Sequence, residues 1–305
     1  EIHERLVGSE MCIRDSGYLQ ESARVAPYDK NLLKRIEAGT ATQVELKNSF
    51  VTLTRAMAAH YGKPVILLLD EYDVPIAKAS AKGYYAEMLD VVKGLMQALK
   101  DNDALRFAVV TGCLRIAKES IFTGTNNFVS DTISSSHLNE YFGFTQADVD
   151  QLLKDADCQE HAADIKNWYD GYHFGDLDVY CPWDVMNYLR DLQRNPKAKP
   201  ASYWKNTSDN SIIRSFIDYR GTKISQKLET LLSGGYILQK VEEDLTYDYL
   251  HSSEENLWSI LYLTGYLTQV REDDLPAPLP KDTSALIIPQ CGSPGNFQDD
   301  HSKVV

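Results

Sequence analysis

Three acids stand in one run, Asp70-Glu71-Tyr72-Asp73, directly after five apolar residues, Val65-Ile66-Leu67-Leu68-Leu69. The apolar run is too short for a helix core or a membrane span. It fits a strand buried on both faces, as in a parallel sheet covered by helices. Chemistry in such sheets gathers at the carboxyl ends of the strands, where Asp70 and Glu71 would sit. An acid at that tip can hold Mg²⁺, usually through water, and the acid after it can polarise an attacking water. Four or more apolar residues followed by Asp-Glu is the Walker B pattern of nucleotide-hydrolysing α/β domains. The plainer alternative is a buried strand that runs into an acidic loop.

Such a strand needs neighbours to hold it. From about Asn31 to Tyr61 the pattern is helical, with Leu46, Phe50, Leu53 and Met57 on one stripe. Gly62-Lys63-Pro64 stops that helix, and the strand follows at once. Met88, Leu89, Val92, Leu95, Met96 and Leu99 form a second amphipathic stripe that ends at Asp101-Asn102-Asp103. Arg106-Phe107-Ala108-Val109-Val110 then reads as a second strand closing on Thr111-Gly112. Two strands flanking one helix predict a right-handed parallel crossover. The carboxylates and Thr111 then share one edge of the sheet. There the Thr111 hydroxyl could sense a γ-phosphate or the attacking water, or it could simply cap a turn. Arg115 and Lys118 follow on the same edge, as phosphate contacts, as an arginine finger in the case of Arg115, or as solvated surface.

Composition narrows the classes. With 305 residues, one large domain or two ordinary ones fit. A net charge of −13 gives no electrostatic footprint for nucleic acid or anionic membrane. The five cysteines are widely spaced and form no Cys-x-x-Cys pair, which speaks against a zinc site or disulfide framework and for a reducing cytoplasm. No apolar stretch approaches the length of a membrane span. Residues 1–16 resemble the translated read-through of a sequencing adapter and are set aside from fold reasoning.

Further along, Glu140 to Phe144 reads as a short strand, and Thr145 with Asp148 as a near capping box that opens a helix through Leu152 and Leu153. Phe144 and Val149 are spaced for the hydrophobic staple. In Trp168-Tyr169-Asp170-Gly171-Tyr172-His173-Phe174-Gly175 the glycines suggest tight turns packed by aromatics. Such a segment could stack a base or pack a small subdomain. His173 has no ligand-spaced partner and is assigned no metal. Helices are expected from Pro182 through Leu192, around Ile212 to Ile217, over Ile224–Leu232 and over Asn256–Leu263, the last two stopped by Gly234-Gly235 and Gly265. Strand-like pieces lie at Tyr236–Lys240, Tyr266–Val270 and Ala285–Pro289, a pattern that suggests a winged-helix-like tail. Five basic against eleven acidic side chains over residues 221–291 oppose a DNA-binding wing. From Gln290 on there is no periodicity.

Several of these stretches together resemble the AAA-ATPase-like family of predicted bacterial P-loop NTPases, which often carry a C-terminal PD-(D/E)XK nuclease-like domain. They are Pro64 to Pro75, Glu119 to Asn127, Glu140 to Thr145, Trp168 to Gly175, Val179 to Leu189, Tyr203 to Asn210 and Leu261 to Thr268. The resemblance covers about residues 45–289. It implies ATP and Mg²⁺ as ligands of the full-length protein, Asp70 as the metal-orienting acid, Glu71 as the water-activating acid and Thr111 as a sensor. A homo-oligomer or a partner protein is left open, nucleic acid enters only through a nuclease-like domain, and the lack of a long apolar stretch predicts no membrane span.

Two departures stand out. The family's phosphate loop, Gly-x-x-x-x-Gly-Lys-Ser/Thr, does not occur in the sequence, where the one Gly-Lys pair is Gly62-Lys63, followed by proline. The nuclease-like pattern is lost after Ile287-Ile288-Pro289. The expected fold class is therefore α/β: an incomplete P-loop NTPase-type parallel sheet over residues 17–145, a mainly helical, winged-helix-like extension over 146–289, and a disordered or aberrant tail at 290–305. The whole reads as the middle of a longer protein. Three functions compete. The first is an ATPase whose catalytic acids lie in this chain. The second is a nucleotide-independent scaffold with a degenerate ATPase fold. The third, weaker, is a metal-dependent nuclease using Asp70, Glu71 and Asp73.

Overall fold

The structure is a computed structural model, and it describes residues 17–114, 128–203, 222–245 and 253–289. The chain forms two units, Glu1–Phe128 with Asp244–Tyr249, and Val129–Glu243 with Leu250–Val305. The expectations for residues 1–16, for Arg115, Lys118 and residues 121–127, for 204–208, for the helix around Ile212, and for 290–305 lie outside the described residues.

In the first unit, α1 (Tyr18–Glu21), α2 (Pro27–Glu37), α3 (Gln43–Lys47) and α4 (Ser49–Tyr61) precede β1 (Val65–Leu69). The single helix expected over 31–61 is thus three pieces. Gly39, at φ +68°, lets the chain leave α2 in the left-handed region. Thr42 then opens α3 with a full capping box closed by Glu45. Leu46 therefore belongs to a different helix from Phe50, Leu53 and Met57. The stripe serves two clusters: Leu53 packs with Leu19, Leu32, Leu33 and Ile36, and Phe50 with Val91, Leu95 and Ala98. Buried Asp29 holds Arg55 through both carboxylate oxygens, one bond at 2.9 Å.

Past β1 come α5 (Val74–Lys82), α6 (Tyr85–Met96) and β2 (Leu105–Val110). The sequence reading contains α6 and β2 but not α5, which starts with Pro75 in its first turn and buries Ile76 and Ala79. β1 and β2 pair directly and in parallel, with Ile66 opposite Phe107 and Leu68 opposite Val109. The expectation of a strand buried on both faces is corrected here. Leu69 packs into the cluster built by α4 and α6. On the other face Ile66 is 50% exposed, Leu68 71%, Phe107 48% and Val109 47%. Among the described residues, the second layer that a parallel sheet normally receives does not cover these four side chains.

The second unit is built on α7 (Gln146–Asp155), α8 (Ala162–Tyr169), the hairpin β3 (Asp170–Phe174) and β4 (Leu177–Tyr180), and α9 (Pro182–Arg194). Thr145 and Asp148 complete the capping box of α7 in both directions. Phe144 and Val149 belong to one apolar cluster, as the staple requires. The strand expected at Glu140–Phe144 is instead a 3-10 turn over Asn139–Tyr141, and only Phe144 pairs, by a two-way bridge with Tyr180. Gly175, at φ +60°, turns the hairpin, and a Cβ there would lie 2.5 Å from the Ser135 carbonyl oxygen. Trp168 to Gly175 is thus the end of one helix and the first strand of a hairpin.

The unit continues with α10 (Thr222–Leu232), β5 (Ile237–Gln239), α11 (Glu254–Leu263), β6 (Thr268–Gln269) and β7 (Ser284–Ile287). The last three strands form an antiparallel sheet in the order β5-β7-β6. Gly234 and Gly265, both at φ +82°, stop α10 and α11 as their sequence positions predict. Among the described residues no helix is long and apolar enough to cross a membrane.

Candidate functional site

The site follows from the ends of β1 and β2. The parallel ladder continues past both strands: the Thr111 amide donates to the Leu69 carbonyl at 2.8 Å, and the Tyr72 amide to the Thr111 carbonyl at 3.0 Å. That register brings Asp70 and Thr111 side by side. The Thr111 hydroxyl donates to Asp70 Oδ1 and accepts from the Glu71 amide at 3.2 Å. Asp70 and Glu71 are both exposed.

Glu71 has φ +52°, in the left-handed region. For a residue with a Cβ this conformation costs about 1 kcal/mol. It ends the strand, and the chain turns into α5 with the Val74 amide donating to the Glu71 carbonyl at 3.1 Å. With the strand already over at Leu69, the alternation that sends neighbouring side chains to opposite faces no longer governs Asp70 and Glu71.

Asp73 is 1% exposed. Its carboxylate accepts the amides of Cys113 at 3.2 Å and Leu114 at 3.0 Å. The nuclease reading required Asp73 to converge with Asp70 and Glu71 on a metal, whereas here it is engaged in holding a loop. Among the described residues no group of three or more His, Cys, Asp or Glu side chains is placed to hold a metal ion. Desolvation, with the Asp73 and Glu71 carboxylates nearby, raises the Cys113 thiol pKa from its ordinary value.

Of the residues singled out in the sequence, Asp70, Glu71 and Thr111 are brought together, and Arg115 lies outside the described residues. An exposed carboxylate beside a hydroxyl suits a hydrated Mg²⁺, which keeps most of its waters and takes one or two protein carboxylates plus substrate phosphate. Gly62 is no part of a phosphate loop: at φ +66° it is the C-cap of α4, its amide bonded to the Ala58 carbonyl at 2.8 Å.

Two features of the tip are absent from the sequence reading. One is the Tyr72 hydroxyl, which donates to the Leu114 carbonyl at 2.8 Å. The other is Gly112, where a Cβ would lie 2.7 Å from both Asp73 Oδ1 and the Tyr72 ring. A glycine directly after a strand was a readable sign of close approach. The loop partners of Asp73 lie about forty residues away and leave no local signature.

His173, in the second unit, bonds Asp178 across the hairpin at 2.9 Å, and Arg271 holds the same carboxylate. Burial raises the Asp170 carboxyl, helped by neighbouring Asp178 and opposed by Lys166 and Arg271.

Comparison with known proteins agrees with the resemblance over the first unit. No solved structure matches this chain. A curated protein of Azotobacter chroococcum mcd 1, described as an uncharacterized protein in the vnfD 5' region, is 28% identical over 229 residues. That alignment takes in 74% of this chain and 41% of the relative, so the chain spans less than half the length of the protein it matches. Residues 14–122, which include β1, β2, Asp70, Glu71 and Thr111, match the AAA-ATPase-like family model, described as predicted AAA-ATPase.

Proposed function

We propose that the protein is a P-loop-type nucleoside triphosphatase and that the β1–β2 tip is the hydrolytic half of its site. The observation that carries this reading is the contact of Thr111 with Asp70 across a parallel pair, at the carboxyl end where α/β sheets place their ligands. The match of residues 14–122 to predicted AAA-ATPases supports it. In this reading Asp70 would orient a hydrated Mg²⁺, whose charge would neutralise the transferred phosphoryl group. Glu71 polarises the attacking water. Thr111 fixes the Asp70 carboxylate through its hydrogen bond and presents its oxygen at the same edge. Arg115 follows in the chain as the candidate finger. The phosphate cradle would come from sequence other than these 305 residues. The order β5-β7-β6, with α10 and α11 around it, supports a winged-helix-like second unit, and its acidic balance argues against a DNA-binding role for it.

The test is steady-state ATP hydrolysis with Mg²⁺ by the natural full-length gene product. Replacing a general base typically costs 10²–10⁴-fold, so Glu71→Gln should lower kcat by about 100-fold or more. Unchanged turnover would remove Glu71 from the role.

A second reading, a nucleotide-independent scaffold, is favoured by one observation: the open apolar face of Ile66, Leu68, Phe107 and Val109. Calorimetry separates the two. A scaffold binds no Mg-ATP in the natural gene product, whereas the ATPase does.

A further inference from the structure

We propose that Asp73 is a positioning residue, which with Tyr72 latches the loop after β2 to the tip of β1 and so sets the place of Thr111 against Asp70 and Glu71. The inference rests on the ATPase reading of the same tip.

Asp73 occupies the N-cap position of α5, where an Asp side chain ordinarily accepts an amide from the first turn of its own helix. Here it makes no such cap. Its two oxygens instead reach the amides of Cys113 and Leu114, about forty residues further along the chain. Bonds from amides to a carboxylate are charge-assisted, and in a buried setting they are directional and costly to leave unmade. Tyr72 grips the same loop from the other side of Leu114. Its hydroxyl donates to the Leu114 carbonyl, and its amide donates to the Thr111 carbonyl. Leu114 is thus held at its N–H by one residue and at its C=O by the one before it. Its own side chain is 2% exposed, which fixes a third point.

Gly112 shows how closely the two halves meet. A methyl group there would press at 2.7 Å on both the Asp73 carboxylate and the Tyr72 ring. Between the strand end and this grip lies Thr111, whose amide, carbonyl and hydroxyl are all bonded to the β1 side. A shift of the loop would therefore carry the Thr111 hydroxyl away from Asp70. Asp73 itself is turned to the loop.

Two measurements test this. In the 305-residue chain, amide hydrogen exchange should show Cys113 and Leu114 protected. Asp73→Asn should speed exchange at these two amides about tenfold while leaving the β1 amides as they were. In the natural full-length gene product, Asp73→Asn should lower kcat for Mg-ATP about tenfold, because small misplacements near the chemistry are costly, while KM stays within about twofold. Asp73→Ala, which keeps neither oxygen, should lower kcat further. Gly112→Ala should act in the same direction with Asp73 intact. Loss of protection at Cys113 and Leu114 with kcat unchanged would overturn the proposal. So would a fall in kcat and folded fraction in equal proportion, since that is a purely structural role. The exchange measurement uses no nucleotide, so failure of the latch is distinguishable from failure of the ATPase reading, which the Glu71→Gln variant reports. A gene product that hydrolyses no nucleotide would overturn both.

Discussion

β1 and β2 run parallel, and among the described residues nothing covers the face of Ile66, Leu68, Phe107 and Val109. In the other unit β5, β7 and β6 run antiparallel, with Ile237, Ala285 and Leu286 buried and Leu238 turned outward. An antiparallel sheet tolerates one wet face, as the edge strand β5 shows by alternating, although the central strand β7 buries the neighbours Ala285 and Leu286; strands of a parallel sheet are usually apolar on both faces because helices cover both. Val65–Leu69 has the composition of the second kind and the surroundings of the first. A strand's composition records the layers it is built for, while exposure records the layers found among the described residues. The acids share this asymmetry. Asp70 and Glu71 stand exposed at the tip of the open pair, whereas the second unit closes its tyrosines around buried hydrogen bonds.

The largest expected effect lies in the closed unit. Trp258 is fully buried in α11. Trp258→Ala should cost about 3–5 kcal/mol in urea unfolding, as large aromatic truncations in packed cores do. A cost below about 1 kcal/mol would mean that this unit is as loosely covered as the first.

The tyrosines give a pH test of the same contrast. Burial pushes Tyr180, Tyr188 and Tyr262 up to about 12 and raises Tyr169 and Tyr203 as well. Unfolded tyrosine titrates near 10. Because the folded values are raised, the folded state prefers the neutral phenol. The stabilisation is full below about pH 10 and is lost as pH rises from there towards the folded values. Alkaline titration followed by phenolate absorbance should show a late group of tyrosines that ionises together with unfolding. Simple titration of all of them near pH 10 in a folded chain would contradict it.

The smallest effect belongs to the open face. Leu68→Ser in the 305-residue chain should change stability by no more than about 0.5 kcal/mol, the usual range for surface substitutions. A large loss would show that Leu68 is covered after all.

Much of the second unit was legible because its signals are local. Thr145 and Asp148 are three residues apart, and the glycines that stop α10 and α11 sit directly at the helix ends. Both strands of the parallel pair were legible from apolar runs, and Thr111 from its place at the end of one. The hairpin at Gly175 was hidden by aromatic composition that reads equally as a packed loop. The helix α5 is short and begins directly after the acidic run. The engagement of Asp73 could not be read, because its amide partners carry no side-chain signature and lie beyond two helices and a strand. The break between α2 and α4 turned on Gly39 and Thr42, which the continuous apolar stripe outweighed.

The role proposed for the tip of β1 is to activate water on a bound nucleotide, and a single turnover of pre-bound Mg-ATP in the natural full-length gene product carrying Glu71→Gln reads it out. The nucleotide should stay bound as ATP, with hydrolysis slowed by about 100-fold or more relative to the unaltered protein. Hydrolysis of the bound ATP at the unaltered rate would contradict it.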